Sequence, residues 1–206
     1  MQAYKFLDRH LISPITGTAW SPDVRVEAAA AVPCREGVHA CRPDDLAHWL
    51  SDRLFVIELD GDIVEGDRKL VATRGRLVGE VGGYREALAE MSETMAWAAR
   101  DRAVAVLRDE GDTTLADRFA AATTMPELAA LVPTTGSSTF GRLVAGLAAD
   151  VADDTLNGTP AQAPFVAACL AGTLAAGPDG DAAAYEAGIA AERVAQSRWL
   201  VDRLGL

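Results

Sequence analysis

The sequence predicts an α+β fold, a small β-rich N-terminal domain over 1–81 followed by an all-α helical bundle over 82–206. Three observations lead there. Turn-forming pairs (Ser13-Pro14, Thr16-Gly17, Ser21-Pro22, Val32-Pro33, Arg42-Pro43, Asp60-Gly61, Glu65-Gly66) divide the first 80 residues into short apolar runs. Gly82-Gly83 then marks a change of character. Beyond it Tyr84, Leu88, Met91, Met95 and Ala98 recur at helical spacing, one face of a long helix.

Taken in order, Ala3–Leu7 and Val24–Ala28 read as strands. Gly37–Cys41 reads as a strand running into a short helix, Leu46–Leu50, with Asp44 or Asp45 at its N-cap. Leu54–Leu59 is β-branched and aromatic and is expected to end at Asp60-Gly61. Leu70–Val78 completes the sheet. The helices follow as Tyr84 to about Glu110, Asp112–Ala122, and a short one opened by Met125-Pro126. The next runs from a Ser137 or Ser138 cap to about Leu156, and Pro160–Ala176 follows. The last spans Asp181 to Leu204, with Ser197, Leu200, Val201 and Leu204 on one face. Short Gly/Pro loops between helices favour antiparallel packing.

Composition narrows the function classes. Half of the 206 residues are apolar and about a quarter are charged, which is globular rather than disordered. A formal charge of −11 argues against nucleic acid, whose phosphates require clustered Lys and Arg. Residues 81–206 carry a net −8 against −3 for residues 1–80, so the helical half presents the stronger negative field. Only Lys5 and Lys69 are lysines; the other 17 basic residues are arginines, the pattern of a GC-rich bacterial genome. No apolar window is long enough to span a bilayer, and Met1–Arg9 lacks a secretory h-region. The expected setting is the cytoplasm, with Cys34, Cys41 and Cys169 reduced and no membrane partner.

Chemistry-bearing residues concentrate in Cys34-Arg35-Glu36-Gly37-Val38-His39-Ala40-Cys41, with His48 close behind. Cys34, His39, Cys41 and His48 are the candidate metal ligands, although the cysteines lie too far apart for a zinc knuckle. The competing reading is a pair of small buried thiols beside a hydrogen-bonded histidine. On a strand, His39 and Cys41 share a face, which makes them the candidate lining of a cleft and, in a second reading, a nucleophilic pair. His10 reads as solvated, and Asp44-Asp45 and Asp153-Asp154 as a cap and a solvent-facing helix end. The stretch Gly136–Arg142 reads as a capped helix start rather than a phosphate loop. Trp20, in a Thr-Ala-Trp-Ser-Pro loop, is expected at a pocket rim.

The same residues resemble an uncharacterised domain family of bacteria and phages. The likeness is carried by Tyr4-Lys5, the Cys34–Cys41 block, Phe55–Leu59 and the strand from Lys69 to Arg76, about the first 80 residues. It implies a shared fold and no known activity, and it adds Tyr4 and Arg74 to Trp20, His39 and Cys41 as candidate ligand-binding residues. The strand–Gly–short-helix–strand layout is also distantly similar to ADP-ribosyltransferases. That likeness would put His39 where the family's nicotinamide-stacking tyrosine stands and Arg74 in the strand that carries its glutamate.

A specific block without a full catalytic set predicts a non-catalytic ligand-binding or protein-interaction protein. Its partner would be a small molecule or a protein, and no cofactor is assigned. The rival is an enzyme, ADP-ribosyltransferase-like or a small-molecule transferase, using His39 and Cys41. A structural assembly subunit that self-associates through the helical half is the third reading.

Overall fold

The computed structural model describes residues 1–131, 138–159 and 161–206. Among them, strands β1 (Gln2–Leu7), β2 (Arg25–Glu27), β3 (Val38–Ala40), β4 (Arg53–Gly66) and β5 (Lys69–Glu80) come first. Helices α1 (Tyr84–Asp109), α2 (Thr113–Ala121), α3 (Met125–Ala129), α4 (Thr139–Asn157), α5 (Gln162–Ala176) and α6 (Ala182–Leu204) follow. The fold is α+β, as the sequence indicates. Two compact units form: Met1–Ala87 together with Gln196–Leu206, and Leu88–Ala195. The first thus runs past residue 81 and takes in the last turns of α6.

In the first unit the sheet is antiparallel throughout. β4 and β5 form a long hairpin turning at Asp67-Arg68, and β1 lies along the other side of β4. β5 carries two short partners, β2 at Arg74–Arg76 and β3 at Leu70–Ala72. The sheet then closes on itself. Just past β3, Cys41 exchanges both backbone hydrogen bonds with Tyr4 of β1, at 2.8 and 3.0 Å. The ring β1–β4–β5–β3 protects these strand edges and encloses Leu7, Trp20, Val38, Phe55, Ile57, Leu59 and Leu70.

β4 does not end at Asp60-Gly61. Those residues form a bulge, with a register shift between Asp60 and Ile63, and the strand continues to Gly66. Gly61 adopts φ +79° there, and the Asp60 carboxylate accepts its N–H at 2.7 Å. The Asp62 N–H turns aside to the Thr73 hydroxyl at 3.0 Å. The turn chemistry is present but is used inside a strand.

The short helix after β3 is a 3-10 turn, Pro43–His48, which starts and ends earlier than Leu46–Leu50. Neither Asp44 nor Asp45 is its N-cap. Arg42 holds that position without a side-chain cap, because Pro43 sets the first-turn geometry and leaves one fewer N–H to satisfy. Asp45 instead receives the Arg42 guanidinium at 2.9 Å. The Ala47 N–H donates to the Ser197 hydroxyl of α6 at 3.0 Å, which ties Gln196–Leu206 into this unit.

Local signals place the helices of the second unit. Asp112 caps α2 through the Leu115 N–H, and Thr124 and Glu127 form a capping box on α3. Ser138 caps α4 through the Gly141 N–H; Gly136, Ser137 and Pro160 lie outside the described residues. The core is built largely of alanine, with Ala96, Ala99 and Ala103 of α1 facing Phe119, Val144, Ala148 and Leu170. Ala98, expected on the buried face of α1, is exposed, because the stripe shifts by one position along the helix. α5 and α6 approach backbone to backbone at Gly172 and Gly188, where an added Cβ would come within 2.8 Å of a carbonyl of the facing helix. No helix of the described residues is long and apolar enough to cross a membrane.

Candidate functional site

Within the first unit, a cavity of ≈ 370 Å³ lies against β1, β3 and the loops beside them. β1 alternates, so Ala3, Lys5 and Leu7 share a face, and Lys5 is the one charged side chain among those three. Lys5 is 7 % exposed and lines the cavity. Its Nζ donates to the His39 carbonyl at 2.8 Å and stands 4.7 Å from the centre of the Trp20 ring. Burial lowers its pKa to about 8, against a smaller opposing effect of the Cys41 sulfur.

The rest of the wall is mixed. Pro14, Ile15, Trp49 and Leu50 supply apolar surface, and Ile15 is 76 % exposed at the rim. Cys34, Arg35 and Lys69 bring a thiol and two further cations. Lys69 opens β5 and donates through Nζ to the Cys34 sulfur at 2.6 Å. Among the described residues, neither Lys5 nor Lys69 forms an ion pair with a carboxylate.

His39 lines the cavity, half-buried, but both ring nitrogens are engaged by backbone. A carbonyl can only accept, so Nδ1 carries the proton it gives to Gly37 O at 3.1 Å. A backbone N–H can only donate, so Nε2 is the bare nitrogen accepting from Cys34 N–H at 3.2 Å. Desolvation, then the charges of Lys5 and Lys69, lowers the imidazole pKa, and the Gly37 bond opposes them. The ring is a neutral brace for the Cys34–Gly37 turn. That turn depends on Gly37, whose φ is +121° and whose added Cβ would meet Val71 Cγ1 at 2.5 Å.

The remaining candidates divide. Tyr4 and Cys41 line the cavity and are buried. Burial, then Asp45, pushes the Cys41 thiol far up, and its Sγ donates to the Tyr4 carbonyl at 3.6 Å, so it is held as an inert thiol. Cys34 is exposed, so the two cysteines are not both buried. Trp20 is 5 % exposed, in the core rather than at the rim, because its indole N–H reaches the buried Ser13 hydroxyl at 3.0 Å. Arg74 does not line the cavity and pairs with Asp60 at 3.2 Å. Cys34, His39, Cys41 and His48 all touch the cavity wall, yet no group of three or more His, Cys, Asp or Glu able to hold a metal forms among the described residues.

Sequence reasoning missed the lysines. The signal was their rarity: both lysines of an arginine-dominated chain line this one cavity. Comparison with family models, with curated proteins and with solved structures returns no significant match, so the cavity's own chemistry carries the functional argument.

Proposed function

We propose that the protein binds a small molecule non-catalytically in the β1–β3 cavity. The ligand pairs an apolar body with one anionic group, a carboxylate being the simplest. The observation that carries this reading is Lys5, an ammonium buried at the cavity wall with no carboxylate partner among the described residues. A buried cation is costly unless compensated, and an anionic ligand supplies the missing charge where water is largely excluded. Lys69 and Arg35 extend the positive field on the wall, while Pro14, Ile15, Trp49 and Leu50 offer the apolar contact. The volume of ≈ 370 Å³ falls in the lower part of the range of about 300–1,000 Å³ usual for small-molecule sites. Catalysis by His39 or Cys41 is disfavoured, since one has both nitrogens committed and the other is a buried, protonated thiol.

The test is a calorimetric and thermal-shift comparison of hexanoate, octanoate and phenylacetate with their neutral amides. The acids are expected to bind and raise the melting temperature while the amides do not. Lys5→Met is expected to abolish binding in a protein that still melts cooperatively. Equal binding of acid and amide, undiminished binding by Lys5→Met, or no binding of any acid would overturn the reading. Stabilisation by NAD that disappears in His39→Ala would favour the enzyme instead.

A further inference from the structure

We propose that Cys34 and Lys69 form a reversible covalent crosslink through a single oxygen, Sγ–O–Nζ, when the protein meets peroxide. This goes beyond ligand binding and does not depend on it.

Geometry carries the inference. The Lys69 Nζ stands 2.6 Å from the Cys34 Sγ. That is closer than an ordinary N–H···O bond of about 2.9 Å, although sulfur is the larger atom. Two atoms joined through one shared oxygen sit at such a separation. Both partners are held from outside the pair. Lys69 is fixed by its pairing with Gly66 at the hairpin end. Cys34 sits in a turn closed by hydrogen bonds between Val32 and Glu36, and its own N–H is anchored on His39 Nε2.

Access and chemistry agree with this placement. Cys34 is an exposed thiol on the cavity wall, so an oxidant can reach it. Lys69 has no ion pair with a carboxylate among the described residues, which leaves its amine directed at sulfur. The crosslink needs a primary amine that can lose its protons. An arginine would not provide one, and this chain places one of its two lysines here.

The steps balance. In the first, the Cys34 sulfur attacks one peroxide oxygen and the O–O bond breaks, giving Cys34–S–OH and water. In the second, the Lys69 nitrogen bonds to that oxygen, and the hydroxyl hydrogen and one amine hydrogen leave. Their two electrons reduce a second peroxide to two waters. Sulfur and nitrogen each lose two electrons, and two peroxides accept them. Four thiols reverse the process: one attacks sulfur, breaks the S–O bond and releases Lys69 as its N-hydroxylamine, a second frees Cys34 from the mixed disulfide, and two more reduce the N–O bond to give the amine and water.

The experiment treats the full chain with stoichiometric hydrogen peroxide and reads intact mass and tryptic peptides before and after dithiothreitol. A gain of about 14 Da, one oxygen in and two hydrogens out, is expected. It should map to a joined pair of peptides, residues 26–35 and 69–74, and vanish on reduction. Cys34→Ser and Lys69→Arg should each abolish it, with unchanged circular dichroism showing that they fold. A loss of about 2 Da at the same pair would mean a direct S–N bond, and unlinked gains of oxygen at Cys34 would mean simple oxidation; either overturns the proposal. Because Lys5 and Cys41 take no part, failure of the crosslink leaves carboxylate binding standing, and the reverse also holds.

Discussion

Lys5 works against the fold that holds it. Burial lowers its pKa from 10.5 to about 8, so the folded state disfavours the charged form that dominates at neutral pH. The cost is fully present below about pH 8 and is relieved as pH rises from there towards 10.5, the interval in which the unfolded chain binds more protons. A shift of that size is worth about 3 kcal/mol, from which the lost carbonyl bond and Trp20 contact must be subtracted. Lys5→Met is therefore expected to stabilise the protein by about 1–3 kcal/mol at pH 7, with the gain fading towards pH 10. Urea denaturation of both proteins across that range checks it, and a variant less stable at pH 7 would count against the buried cation. His39 acts with the same sign in a lower pH window. Its lowered pKa makes protonation unfavourable in the fold, so its contribution is complete above 6.5 and is lost as pH falls below. The block containing His39 was visible in the sequence, and so was its place beside a cavity. Its role was not, because whether an imidazole offers a nitrogen or spends both depends on where two backbone groups, Gly37 O and Cys34 N–H, fall.

At the scale of elements, caps and punctuation located nearly every helix. Met125-Pro126 opens α3 and Ser138 caps α4 as the sequence implies, and Asp112, Thr124 and Glu127 supply caps that sequence reasoning does not single out. What local pattern could not settle was tertiary. Asp60-Gly61 has the chemistry of a hairpin turn, and only the register of β5 makes it a bulge. The buried stripe of α1 passes through alanines whose neighbours are also alanine, so hydrophobicity alone cannot tell Ala98 from Ala99. The meeting of α5 and α6 is a stronger instance, since nothing local marks Gly172 or Gly188 as a crossing point. A methyl group at Gly188 would stand 2.8 Å from the Ala171 carbonyl. Gly188→Ala is expected to destabilise by about 1–2 kcal/mol despite its better helix propensity. Gly146→Ala in α4, with nothing within 4 Å of the new atom, should stabilise by about 0.5–1 kcal/mol. Melting temperatures of the two variants, moving in opposite directions, check the pair.

For the molecule as a whole, the long-range contacts hold the surprises. Tyr4 and Cys41 close the sheet, and Ser197 meets Ala47 from 150 positions away. Ser197→Ala removes the acceptor of that buried bond, at a cost of about 1 kcal/mol. The expected readout is faster amide exchange in the 3-10 turn and β3 while α4 keeps its protection; uniform exchange rates would contradict it. There is also an order of events in this topology. Synthesis from N- to C-terminus has every strand of the front unit in hand by Glu80, yet the segment Gln196–Leu206 that belongs to that unit follows only after helices α1–α5 and most of α6. The nascent front half must therefore wait, unfinished, through the synthesis of all the intervening helices.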